Sequence, residues 1–195
     1  MGKVLAETRG DVQEGIDTAF YAATEGRRLF GRVVPSELRN KWAMSYRRPI
    51  GVAGLICPFN FPMAIPTWKM FPALVCGNAV VFKPAEDVPH TGTLLVEILL
   101  EAGLPAGALT LLNGPGETIG QAVAEHPDVA MISFTGSAAV GWELARRHPR
   151  KRVALELGNA TPVIVADDAD LVRAAERIAA SGFTHAGQSC VSVQR

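Results

Sequence analysis

Between Ala79 and Leu157, short apolar runs alternate with helical stretches of about ten residues, and this rhythm constrains the fold more than any other feature of the chain. Ala79 to Phe82, Ala108 to Leu112, Val129 to Phe134 and Val153 to Leu157 read as strands; Thr91 to Ala102, Glu117 to Glu125 and Ser137 to Arg147 read as helices. Ile50 to Cys57, stopped by Pro58, is a further buried strand upstream. Strands this apolar need cover on both faces. The pattern therefore predicts βαβ units, a parallel sheet with helices on both faces, and right-handed crossovers.

The flanks follow a different pattern. Asp11 can cap a helix running to about Phe30, with Gly31 ending it. Val33 to Arg48 is more polar, with strand character around Trp42 to Tyr46. Phe61 to Val75 reads as a helix despite Pro62, Pro66 and Pro72, so a bent or two-part helix is expected. A break at Gly158-Asn159 precedes Pro162 to Val165, where something new starts; a domain boundary is therefore expected near Gly158. Ala169 to Ser181 reads as a helix leading into the turn His185-Ala186-Gly187-Gln188-Ser189-Cys190, and Val191-Ser192-Val193 alternates like the start of a strand.

Composition excludes several classes. At 195 residues and a formal net charge of zero, the chain has no electrostatic case for nucleic acid or an anionic membrane. No apolar run reaches the roughly 18 to 20 residues of a membrane span, and the first residues lack a signal-peptide apolar region. Three cysteines do not make an even disulfide set, so a reduced, cytoplasmic location is expected. Nothing in the spacing of the sequence suggests a metal site.

Ligands of a parallel α/β sheet bind beyond the carboxyl ends of its strands. Polar residues sit at those ends: Asn60, Lys83 with Glu86, Asn113 with Gly114 and Gly116, Thr135-Gly136-Ser137, and Glu156. Each has an ordinary reading as well. Asn60 serves equally as a turn residue before Pro62, Glu156 as a solvated carboxylate and Lys83 as a surface lysine. Gly136-Ser137 can hold a phosphate at a helix N-terminus or be a plain Ser N-cap. The dinucleotide fingerprint G-x-G-x-x-G is absent. Cys190, on a turn between elements, can face a cleft as a nucleophile, whereas Cys57 and Cys76 sit in apolar context and read as core. His185 reads as a loop residue rather than a partner of Cys190. The basic run Arg146 to Arg152 reads as a solvated helix C-terminus.

Pro58-Phe59-Asn60-Phe61-Pro62, Lys83-Pro84-Ala85-Glu86, Phe134-Thr135-Gly136-Ser137, Leu155-Glu156-Leu157-Gly158 and Gly187-Gln188-Ser189-Cys190 occur in the order and approximate spacing of the NAD(P)-dependent aldehyde dehydrogenase superfamily. Across essentially its whole length the chain resembles that family. The resemblance implies an α/β fold: a Rossmann-like NAD-binding domain over 1–157, within which 33–49 resembles part of an oligomerisation arm, and the incomplete start of a second α/β catalytic domain over 158–195. It implies oxidation of a small-molecule aldehyde to a carboxylic acid through a cysteine thiohemiacetal and thioester, and homo-oligomers in the full-length family. Carried over, Cys190 is the nucleophile, Glu156 the general base, Asn60 the oxyanion donor, and Lys69 a lysine kept near the active site. Lys83, Pro84, Ala85, Glu86, Gly116, Gly120, Phe134, Gly136, Ser137 and Gly141 fall to the cofactor. Glu86 accepting from a ribose 2′-hydroxyl would disfavour a 2′-phosphate through charge repulsion, which favours NAD while leaving NADP possible.

The sequence also departs from the family. The commoner Glu-Leu-Gly-Gly-Lys is here Glu156-Leu157-Gly158-Asn159-Ala160, Phe59 replaces a tryptophan, and His185 stands where asparagine is frequent. The chain ends five residues past Cys190, before the segment that grips the nicotinamide ribose, and part of the cofactor domain is expected to be missing at the N-terminal end. The alternative to a working enzyme is therefore an inactive fragment that at most binds nucleotide or another chain.

Overall fold

The computed structural model describes Met1–Arg195. A five-stranded parallel sheet has the order β5-β4-β3-β6-β7, from β3 (Val52–Ile56), β4 (Ala79–Lys83), β5 (Leu109–Leu111), β6 (Val129–Gly136) and β7 (Arg152–Leu157). The chain runs outward from β3 to β5, then returns to place β6 on the other side of β3. The strand order reverses between β3 and β6, and that reversal opens a crevice at their carboxyl ends.

Both faces of the sheet are covered, as the apolar rhythm requires. On one face α2 (Ala64–Val75) and α3 (Pro89–Glu101) pack Ile65, Met70, Leu95 and Val96 against Ala53, Leu55, Val80 and Phe82. On the other face α4 (Gln121–Glu125) and α5 (Ala138–Arg147) cover Ile56, Val129, Ile132 and Phe134. Burying each large apolar side chain contributes about 1.5–3 kcal/mol relative to exposing it. Gly54 lets α4 approach closely, because a Cβ there would lie 2.6 Å from Val123 Cγ1.

Several elements depart from the pattern read in the sequence. The N-terminal helix α1 spans Leu5–Gly26, so Asp11 lies inside it rather than at its cap. Asp11 is buried, and its carboxylate accepts from the backbone N–H of Ala64 at 2.8 Å and of Met63 at 3.4 Å. It therefore caps α2 from a distance, a role that no local pattern encodes. The helix expected over 61–75 is a single α2 from Ala64; Pro66 falls in its first turn, where no N–H is needed, and only Pro72 lies inside. The helix expected over 117–125 opens as a π-turn, Gly116–Gly120, before α4. Trp42 to Tyr46 forms β2 (Ala43–Ser45), paired antiparallel with β1 (Arg32–Val34) in a ribbon separate from the main sheet. Val33, Trp42, Met44 and Tyr46 on this ribbon are exposed.

After β7 the main sheet gains no strand. Residues 162–165 and 191–193 form no strand of their own; a single parallel bridge joins Thr161 to Val193. α6 (Leu171–Phe183) lies between them and ends in a short turn, Thr184–Gly187. No helix is long and apolar enough to cross a membrane.

Candidate active site

A cavity of about 780 Å³ opens at the crevice between β3 and β6. Of the residues assigned to a cofactor, Lys83, Ala85, Glu86, Gly116, Gly120, Phe134, Gly136 and Ser137 line it. Pro84 and Gly141 do not. Pro84 is buried beneath α3, where a Cβ on Gly92 would meet it at 3.0 Å. Gly141 lets α5 pack on the sheet, since a Cβ there would lie 2.5 Å from Leu157 Cδ2.

Two ion pairs line this cavity, Lys83 with Glu86 and Arg147 with Glu143, beside the carboxylates of Asp87, Glu117 and Glu125. The Lys83 side chain is almost fully buried, and its Nζ donates to Glu86 Oε2 at 2.6 Å. The other Glu86 oxygen accepts from the Gly116 N–H at 3.3 Å. The Lys83 hydrogen bond, then the backbone N–H groups of Glu86 and Gly116, pull the carboxyl down to about 2. A Cβ on Gly116 would meet only Glu86 Oε1 and Lys83 Nζ, both at 3.9 Å, so the floor between them stays open. Ser137 caps α5, accepting from Val140 N–H at 3.4 Å, and presents the helix N-terminus to the same cavity. A buried cation and a helix N-terminus as donors, with a carboxylate as acceptor, are groups that a dinucleotide's phosphates and ribose need. No group of three or more His, Cys, Asp or Glu side chains that could hold a metal occurs.

A second cavity, of about 790 Å³, lies beside α2 on the opposite face of β6 and β7. Cys190, Glu156 and Lys69 all line it, together with Trp68, Ser133 and Thr135. β6 forms the partition between the two spaces, and Thr135 borders both. Alternation along β7 sends Glu156 to this face. Lys69, on α2, donates to Ser133 Oγ at 2.9 Å. Burial lowers the affinity of its amine for a proton, and the neighbouring Cys57 and Glu156 partly oppose that.

Asn60 lines neither cavity and reaches the cysteine turn only through Gln188. Its Nδ2 donates to the Gln188 carbonyl at 2.6 Å, while its buried Oδ1 has no partner. Cys190 is partly buried. Cys57 is fully buried, and burial pushes its thiol up to about 12, consistent with its reading as core. Cys76, read as core from its apolar context, is instead exposed at the end of α2, because the helix presents its last turn to solvent. His185 packs edge-on to Phe61 at 4.4 Å and lies beside Glu7 rather than Cys190. Of the basic run, Arg146 and Arg147 pair with Glu143, and Lys151 donates to the carbonyls of Ala124 and His126 at the end of α4.

Sequence reasoning missed three contributors. Ser133 reads as an ordinary strand residue until Lys69 is found against it. Asn159, in the altered glutamate motif, donates through Nδ2 to the Cys190 carbonyl and accepts from the Thr161 N–H at 2.8 Å. Lys3 donates to the Asn60 carbonyl at 3.0 Å and lies 3.4 Å from Asp11. The departure at Asn159 was the one available signal. The contacts of Lys3 and Asp11 span more than fifty positions and leave no local trace.

Comparison with known proteins covers the whole chain. The alpha-ketoglutaric semialdehyde dehydrogenase of Bacillus subtilis (strain 168) is 45% identical over 197 residues, covering 100% of this chain and 40% of the relative. The succinate-semialdehyde dehydrogenase [NADP(+)] of Escherichia coli (strain K12) is 39% identical over 196 residues, covering 100% of this chain and 41% of the relative. Among solved structures, an E. coli NADP dependent enzyme superposes with a TM-score of 0.95 at 39% identity, covering 100% of this chain and 41% of that one. An NAD-dependent aldehyde dehydrogenase from Sinorhizobium meliloti superposes at 0.93 with 40% identity, covering 98% and 38%. The chain thus spans about two fifths of the length of the curated relatives it matches. The aldehyde dehydrogenase family matches over residues 1–195, and the chain belongs to that family.

Proposed function

We propose that this chain supplies the cofactor site and the nucleophile of an NAD-dependent aldehyde dehydrogenase that oxidises a small-molecule aldehyde to a carboxylic acid. Residues 1–157 form the cofactor domain, with 33–49 as part of an oligomerisation arm, and 158–195 begin the catalytic domain. The observation that carries this reading is the grouping of Cys190, Glu156 and Lys69 around one cavity, with Thr135 of β6 bordering both that cavity and the one that holds Lys83, Glu86 and the N-terminus of α5.

Cys190, as thiolate, adds to the aldehyde carbonyl, and the oxygen of the resulting thiohemiacetal becomes negative. Asn60 Nδ2 carries two hydrogens; Gln188 takes one, which leaves the second for this oxygen, beside the Cys190 N–H. One such donor stabilises the transition state by about 3–4 kcal/mol. Lys83, Glu86, Gly136 and Ser137 would hold the nicotinamide cofactor, which would supply the hydride acceptor for the thiohemiacetal carbon. Glu156 then takes a proton from the water that attacks the Cys190 thioester and frees the acid. Glu86 favours NAD over NADP by repelling a 2′-phosphate.

The test is a burst of NADH with a small aldehyde, lost in Cys190→Ala. A folded sample that binds NAD by calorimetry but releases no NADH supports the second reading, an inactive piece of such an enzyme. Titrating NADP beside NAD separates the two cofactors.

A further inference from the structure

The turn that presents Cys190 contains two consecutive non-glycine residues in the left-handed region, His185 at φ 52° and Ala186 at φ 56°. Residues with a Cβ stay in that region only when their surroundings hold them there. Two contacts at His185 do so. Its N–H donates to Glu7 Oε1 at 2.9 Å, and its ring packs against Phe61. The second Glu7 oxygen lies 3.6 Å from His185 Nδ1. Glu7 sits in the first turn of α1, 178 positions away in sequence.

From His185 the contacts lead directly to the site. The His185 carbonyl accepts from the Gln188 N–H at 3.0 Å, and the Gln188 carbonyl accepts from Asn60 Nδ2. We propose that Glu7 is a positioning residue. By accepting from His185 it holds the left-handed turn, and through Gln188 it fixes Asn60 and Cys190 relative to each other. This inference rests on the reading of Cys190 as nucleophile. What Glu7 supplies is an acceptor at a set distance, so a neutral amide of the same length serves and a shorter carboxylate does not.

Hydrogen–deuterium exchange of the peptide spanning 184–192, followed by mass spectrometry, tests this. Glu7→Ala should speed exchange there by about fivefold or more, while peptides from α5 stay within about twofold of the unaltered chain. Glu7→Gln should remain within about twofold throughout, because its amide oxygen still accepts from His185. Glu7→Asp, one methylene short, should loosen the peptide as alanine does, and it carries the prediction if the alanine variant does not fold. Equal exchange in Glu7→Asp and the unaltered chain, or a Glu7→Gln variant as loose as Glu7→Ala, overturns the proposal. Iodoacetamide labelling of Cys190 in the unaltered chain is the separate check. A sulfur that does not react there removes the nucleophile reading but leaves the Glu7 tether standing or falling on the exchange data alone.

Discussion

The side-chain amide of Asn60 donates to the backbone carbonyl of Gln188 at 2.6 Å across 128 positions of sequence. This one bond ties the turn after β3 to the turn before Cys190, and under the proposed function it holds the proposed oxyanion donor and the proposed nucleophile on a common frame.

Asn60→Ala removes both the tie and the donor. In an active protein containing this chain, kcat for aldehyde oxidation should fall by about 10²–10³, with the KM for NAD little changed because the cofactor cavity does not include Asn60. Steady-state kinetics check this. A drop confined to KM would show that Asn60 acts on binding alone.

The three thiols should separate by reactivity. Cys57 is buried, with its thiol pushed up to about 12, while Cys76 is exposed and Cys190 partly so. Alkylation near pH 8 followed by peptide mass spectrometry should label Cys76 and Cys190 and leave Cys57 untouched until the chain unfolds. Labelling of Cys57 in the folded chain would contradict the packing of β3 against α2.

Glu86 titrates at about 2 in the fold against an ordinary value of 4.5. Its folded-state affinity for a proton is depressed, so its contribution to stability is complete above about pH 4.5 and is lost as the pH falls towards 2. Because the side chain is half exposed, solvent screens the contribution and keeps it small. The difference in melting temperature between the unaltered chain and Glu86→Gln should be constant from pH 5 to 8 and shrink below pH 4.5. A difference that grows in acid would refute the pairing with Lys83.

Asp11 holds the N-terminus of α2 and faces Lys3, and both side chains are nearly fully buried. Asp11→Ala leaves the Lys3 ammonium without its counter-charge, with only the Asn60 carbonyl to accept from it, and two backbone N–H groups without their acceptor. Breaking a buried pair in this way costs about 3–5 kcal/mol, measurable by denaturant unfolding. A loss below about 1 kcal/mol would place the cap among ordinary surface interactions.

The sheet was legible because its strands are buried on both sides. An apolar run flanked by helix-period segments leaves few other folds open, and β3 to β7 fall within a residue or two of the runs that announced them. The weaker segments were not legible in this way. Val191 to Val193 alternates like a strand yet forms only a bridge to Thr161, because pairing needs a partner, and the alternation of one segment says nothing about whether a partner is there.

By itself, the order of residues determined the parallel sheet, the turns after its strands, and the candidate groups Asn60, Lys83, Glu86, Glu156 and Cys190, since periodicity and turn chemistry act over a few positions; Lys69 entered only through the family resemblance. Only the tertiary structure decided which of these share a cavity, that Thr135 borders both spaces, that Gly141 serves packing, and that Asp11 and Glu7 on α1 brace α2 and the cysteine turn. A hydrogen bond between distant segments depends on how whole elements pack against one another, and that packing is set by the core as a unit, beyond the reach of any local pattern.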